Sequence, residues 1–123
     1  MPAMKKTKHP VLTFIAKLVA VIALLICASW WSGKHLATFG YKDISPKGYY
    51  RLELWEASSW SFQSWDKEVP AFVRLYDNRS GKLMGESDIL EMIGNGEIFW
   101  PVDTVPTVGV GNQISFPAEP EPE

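Results

Sequence analysis

The stretch VLTFIAKLVAVIALLICASWW, Val11 to Trp31, decides how this chain is organised: 21 residues pass with Thr13, Lys17 and Ser29 as the only clearly polar members. At about 1.5 Å per residue, a helix of that length measures roughly 32 Å, enough to cross a hydrocarbon layer of about 30 Å. Lys5, Lys6 and Lys8 precede it. A tight basic cluster beside a short N-terminal tail is retained in the cytoplasm while the apolar run enters the bilayer. The expected organisation is therefore a cytoplasmic basic flank over 1–10 and a transmembrane signal-anchor helix over 11–31, with the C-terminal part outside. Lys34, Lys42 and Lys47 on the far side reduce the charge asymmetry without matching the density of the cluster. Lys17 is expected to snorkel to the inner interface, and Trp30 and Trp31 to form an aromatic belt at the outer one.

Two other readings use the same segment. As a cleaved signal peptide, it offers an 11-residue apolar core from Leu18 to Ala28, but a cut after Ala28 places Ile26 where a small residue is wanted and Trp30 close behind. As a lipidated N-terminus it offers Cys27, which again follows the bulky Ile26. A small hydrophobe in an apolar helix is the simpler account of Cys27.

Beyond Trp31, and before a Pro/Glu tail, about 85 residues remain for a folded core. A domain of that size buries only about 60% of its unfolded surface, so it depends on large apolar side chains. Trp55, Trp60, Trp65, Trp100, Phe62, Phe72, Phe99 and Phe116 supply them. All fourteen acidic residues lie at or after Asp43; from Ser32 onward eight Lys/Arg stand against fourteen Asp/Glu, a net of −6. That charge opposes binding to a phosphate backbone, which rests on Lys/Arg neutralisation. Cys27 is the single cysteine, so the downstream part has no internal disulfide and no thiolate.

Residues 32–44 read as a juxtamembrane linker, with Gly33 and Gly40 permitting bends. From Ser45 the pattern changes. Ser45-Pro46-Lys47-Gly48 has proline and glycine where a β-turn wants them. Tyr50, Leu52 and Leu54 then alternate with Arg51 and Glu53, the period of a half-buried strand. Residues 57–70 carry Trp60, Phe62 and Trp65 among serines with no regular period, giving a loop with room for a helical turn. Residues 71–77 alternate again, Val73 and Leu75 on one face and Phe72, Arg74 and Tyr76 on the other. Asp77 to Lys82 is a hairpin loop with Gly81 at positive φ, and 83–92 is the returning strand. Gly94-Asn95-Gly96 marks another reversal before 97–100. Val108, Val110, Ile114 and Phe116 fall on one face of a final strand, with a bulge at Gly109 or Gly111. Residues 117–123 alternate Pro and Glu and are expected to be disordered. The fold class is thus an N-terminal transmembrane helix plus a small all-β domain over 45–116, an antiparallel meander of about five strands forming a sandwich or partial barrel.

The strings Ser45-Pro46-Lys47-Gly48-Tyr49-Tyr50-Arg51, Pro70-Ala71-Phe72-Val73-Arg74-Leu75-Tyr76, Gly85-Glu86-Ser87, Phe99-Trp100-Pro101 and Val108-Gly109-Val110-Gly111 resemble a family of small bacterial proteins of unknown function. Its members are N-terminally membrane-anchored with one β-rich extracytoplasmic domain. The resemblance covers 41–116 and implies a bacterial inner-membrane setting with the domain in the periplasm; it brings no catalytic motif.

His9 and His35 are the only histidines and both lie outside 45–116. A Ser/His/Asp or Cys/His nucleophile and a nitrogen/sulfur zinc site are therefore not expected there. Glu86 and Asp88, two apart on one strand face, have the residue types of an acid/base pair, but a solvated edge-strand face explains them better. The Asp77-Asn78-Arg79-Ser80-Gly81 loop lacks the ligand spacing of a calcium loop. Arg74, Arg79 and Lys82 read as ordinary surface charge. No cofactor, metal or nucleic acid is implied, and the expected partners are the lipid bilayer and another protein. The function expected is a non-enzymatic, membrane-tethered periplasmic interaction module of immunity or envelope-accessory type. Its contact candidates are Trp60, Phe62, Trp65, Phe72, Arg74 and Tyr76. The alternative is a small-ligand or glycan-binding module using the Trp60/Phe62/Trp65 loop. Covering the open end of the sheet as core is the favoured placement of those three aromatics; exposed, they form a contact surface.

Overall fold

The computed structural model describes residues 10–122; the Lys5, Lys6 and Lys8 cluster lies outside the described residues. Helix α1, Pro10–His35, starts on a proline, whose fixed φ and missing N–H suit a first helical position. It ends on Lys34 and His35, whose charge and ring donors suit the carbonyl end. The helix is long and apolar enough to cross a bilayer as an anchor or to serve as a signal sequence. Its side chains are exposed up to Ala28, whereas Ser32 and Gly33 are buried against the β domain.

No linker separates helix and domain. The helix continues past Trp31, Leu36 N–H donates to Ser32 O at 3.0 Å, Ala37 N–H to Lys34 O at 3.3 Å, and strand β1 occupies Thr38–Ile44. Gly33 serves close approach rather than a bend: a Cβ there would stand 2.7 Å from Ile89 Cδ1 and 3.0 Å from Ser61 Oγ. Strand β1 carries no alternation because all seven of its residues are exposed, and its register shifts at Gly40.

Strands β2 (Tyr50–Glu56) and β3 (Pro70–Asp77) pair antiparallel with Leu52 opposite Leu75 and Leu54 opposite Val73. Their alternation sets these side chains on the core face and Arg51, Glu53, Arg74 and Tyr76 on the other. The Ser45–Gly48 turn closes with Gly48 N–H on Ser45 O at 2.9 Å, and Gly81 takes φ 79° in the hairpin, both as expected. The returning strand is broken into β4 (Leu83–Glu86) and β5 (Leu90–Glu91), both on the free edge of β3. Ser87 repairs the gap: its N–H reaches Val73 O at 2.9 Å and its Oγ accepts Val73 N–H at 3.0 Å. The first sheet is thus β1-β2-β3-β4 with β5 beside β3.

A second sheet contains β6 (Ile98–Phe99), β7 (Thr107–Val110) and β8 (Ile114–Pro117) in that order. The expected single final strand is a hairpin, since Gly111 at φ 60° turns the chain. Val108, Val110 and Ile114 meet Leu52, Leu54, Val73 and Leu75 in one buried cluster between the sheets. The class expected from sequence, an apolar helix with a small antiparallel β domain, is the one observed, with two sheets and no closed barrel among the described residues.

The Pro/Glu tail, expected to be disordered, is fastened as far as it is described. Ala118 is buried and its N–H donates to Pro106 O. The Glu121 carboxylate accepts Ser45 Oγ–H at 2.7 Å, Lys47 N–H at 3.1 Å and Tyr49 N–H at 3.0 Å. Composition alone misses this, because the tail is held chiefly by a charge-assisted polar cluster at Glu121, to which the small Ala118 adds a contact with the core.

Leu75 is fully buried and Leu83 is 51% exposed. Chemical denaturation of micelle-held protein is expected to show Leu75→Ala losing about 2–5 kcal/mol. Leu83→Ala is expected to change stability by less than about 0.5 kcal/mol.

Candidate functional site

The serines decide how the aromatic loop folds. Ser58, Ser61 and Ser64 turn inward and are buried, Ser61 completely, leaving the intervening large side chains outside. Trp60 and Trp65 are 77% and 73% exposed and Phe62 is 38% exposed, so the three aromatics are not core at the sheet end. A one-turn 3-10 helix, Phe62–Ser64, is capped by Ser61 Oγ. The loop lies against α1: Phe62 and Trp30 have ring centroids 5.9 Å apart. Ser29 Oγ donates to Trp60 O at 3.1 Å and accepts Phe62 N–H at 2.8 Å. A cleft of about 410 Å³ between helix and loop is lined by Ile22, Leu25, Ile26, Ser29, Phe62 and Trp65. Trp30 and Trp31 are themselves exposed, Trp31 stacked on His35 at 4.6 Å. Lys17 is exposed on the helix.

The Phe72, Arg74, Tyr76 face is not an open contact surface. Phe72 is fully buried, because the end of α1 reaches over it: Lys34 Nζ lies 5.2 Å from its ring and the Arg74 guanidinium 5.0 Å. Glu86 joins the two cations, 2.8 Å from Arg74 Nε and 3.4 Å from Lys34 Nζ, while Lys34 also donates to Ser87 O at 2.8 Å. Tyr76 is half-buried under Arg51, at 4.4 Å. Lys34, through Glu86, Ser87 and the Phe72 ring, holds the helix to the sheet.

Glu86 and Asp88 do not share a regular strand face, because β4 ends at Glu86. Burial pushes the Glu86 carboxyl up, but the Arg74 hydrogen bond and the charges of Lys34 and Arg74 outweigh it and hold it below its ordinary 4.5. In the hairpin loop, Asp77 accepts Arg79 N–H at 2.9 Å and Arg79 Nε–H at 3.2 Å, which lowers its carboxyl. Among the described residues no group of three or more His, Cys, Asp or Glu is placed to hold a metal ion.

Two further surfaces stand open. Among the described residues, strand β1 pairs with β2 on one side and leaves its other edge unpaired; Phe39, Tyr41 and Ile44 along it are 46%, 46% and 44% exposed. A groove of about 690 Å³ follows the second sheet, with Phe99, Trp100, Val102 and Val105 among its walls. Sequence reasoning missed β1 for lack of a period, and it missed Ser29. A hydroxyl two residues before the end of the apolar run, with serines interspersed among Trp60, Phe62 and Trp65 downstream, was the available signal. Comparison of the chain with protein-family models, curated proteins and solved structures finds no match.

A lowered carboxyl stabilises the fold above its unfolded value, and that contribution is lost as pH falls through the folded value. For Glu86 the loss falls below 4.5. Between about pH 6 and about pH 3, wild type is expected to lose more stability than Glu86→Gln, as read by denaturation at each pH.

Proposed function

We propose that this chain is a membrane-tethered interaction module of the bacterial inner membrane, with its N-terminus in the cytoplasm and its β domain in the periplasm. The single observation that carries the reading is the free edge of β1, seven exposed residues that begin two residues after the apolar helix ends. An unpaired edge offers backbone donors and acceptors to an extended segment of another protein, and the flanking side chains select which segment fits. Phe39, Tyr41 and Ile44 supply apolar contacts for such a strand, and Lys42 and Asp43 supply charge. The irregularity at Gly40 and the charge of Lys42 restrict indiscriminate edge pairing, favouring a partner matched to the Tyr41–Ile44 half. The basic cluster at Lys5, Lys6 and Lys8 supports the orientation, and the resemblance to small anchored bacterial proteins supports the setting. An immunity-type or envelope-accessory role is the form this reading takes.

A second reading, a module for a small apolar ligand, is favoured by the groove along the second sheet. The Trp60/Phe62/Trp65 loop is a poor sugar site, because the side chains lining its cleft are apolar apart from Ser29, whose hydroxyl is already engaged twice.

The test is a photoreactive amino acid placed singly at Tyr41, Val102 or Ser80 in the full chain in its native membrane. A discrete protein adduct from position 41, absent from the hairpin tip at 80, is the expected result. Adducts from 102 with none from 41 overturn the assignment to β1, and no adduct at any position overturns the interaction reading.

A further inference from the structure

We infer that the loop from Ser58 to Trp65 is a second membrane anchor, a wedge that enters the outer lipid interface alongside α1. The inference rests on the reading that α1 stays in a bilayer. Three observations carry it.

From Trp60 onward the N–H groups of the loop are paired as lipid requires, within the loop or to Ser29 of the helix. Backbone N–H and C=O groups enter a low-dielectric layer only when paired. The N–H groups from Trp60 to Trp65 find Ser58 Oγ, Ser58 O, Ser29 Oγ, Ser61 Oγ, Ser61 O and Phe62 O in turn. The carbonyls from Ser58 to Gln63 are equally complete, accepting from Ser61 N, Trp65 Nε1, Ser29 Oγ, Ser64 N, Trp65 N and Lys67 Nζ. Six consecutive donors and six consecutive acceptors are therefore satisfied, half of them by the loop's own serines. A loop built for water has no need of this.

The side chains that the serines leave outside are the ones that partition to membrane interfaces. Trp60 and Trp65 stand out from the loop, and indoles favour the headgroup boundary, where an apolar ring and a polar N–H are both accommodated. Polar groups resume directly after Trp65, with Asp66 exposed and paired to Lys67 at 2.9 Å.

The patch is continuous with the face of α1 that lipid would cover. Phe62 and Trp65 share their cleft with Ile22, Leu25 and Ile26, and Ile22 lies eight residues before Trp30, roughly 12 Å along the axis. A bilayer that covers the apolar helix up to Ile26 reaches Trp65 at the same depth. Lipid acyl chains fit this cleft, whereas a sugar or peptide would find its polar groups already used.

The experiment uses the full chain in phosphatidylcholine/phosphatidylglycerol bilayers, with a nitroxide on the native Cys27 or, in a Cys27→Ser background, on Trp60→Cys, Trp65→Cys or Ser80→Cys. Collisional relaxation by oxygen, which concentrates in lipid, is compared with relaxation by a water-soluble nickel chelate. Oxygen is expected to dominate several-fold at 27, 60 and 65, and the chelate at 80. Labels at 60 and 65 that behave like 80 while 27 reports lipid overturn the wedge and leave the tether intact. A water-exposed label at 27 overturns the tether, and the wedge with it. As a check without cysteine substitutions, acyl-brominated lipid should quench wild-type tryptophan emission. The Trp60→Phe/Trp65→Phe protein should lose roughly half of the quenchable emission, because Trp30 and Trp31 remain. An unchanged quenchable fraction overturns the wedge.

Discussion

The buried end of α1 is the constraint from which the arrangement of this protein follows. A helix with a free end can swivel over its domain, but here Ser32 is buried and Gly33 is packed against Ser61 and Ile89. Ser58 N–H is bonded to Gly33 O at 3.1 Å, and Lys34 is fixed to Glu86, Ser87 and the ring of Phe72. Each contact joins the helix to a different element: the aromatic loop, the broken return strand and β3. The domain therefore has one attitude relative to the helix axis. Register carries that attitude through the sheet, since Thr38 pairs with Glu56 at the helix end and Ile44 pairs with Arg51 toward the Ser45 turn.

Carboxylates do much of the fastening in a domain with no disulfide. Glu91 accepts Glu68 N–H at 2.7 Å and Val69 N–H at 2.6 Å, holding the entry to β3 beside β5. Glu121 does the same for the turn at 45–49, and Glu86 for the helix end. An ionised carboxylate accepting two backbone N–H groups makes stronger hydrogen bonds than a neutral acceptor. Part of the acidic excess is thus structural, and the net charge is a poor guide to what the surface binds.

Where one face of an element is wet and the other dry, the sequence was readable. Tyr50-Arg51-Leu52-Glu53-Leu54 and Val73-Arg74-Leu75 announce their strands, and the turns at 45–48 and 77–82 carry their own chemistry. Alternation vanishes in β1, wet on both sides, and in Phe72, which is covered on the face assigned to solvent because a helix from elsewhere in the chain lies over it. The break at Ser87 was hidden because a side chain stands in for missing strand hydrogen bonds. The aromatic loop was legible in composition but not in placement: its outward direction depends on the pairing of serines with backbone groups, which has no sequence period.

The two-residue passage from α1 to β1 also limits how far the protein can extend. Nine residues from Leu36 to Ile44, even fully stretched, cover at most roughly 32 Å, so the whole free edge stays within that distance of His35. In the proposed membrane-tethered setting, a partner docking on β1 would have to come down to this height, which favours one that is itself confined near the same surface. Encounter of that kind would take place in a thin sheet of volume, where a weak contact is occupied far more often than its affinity in free solution would suggest.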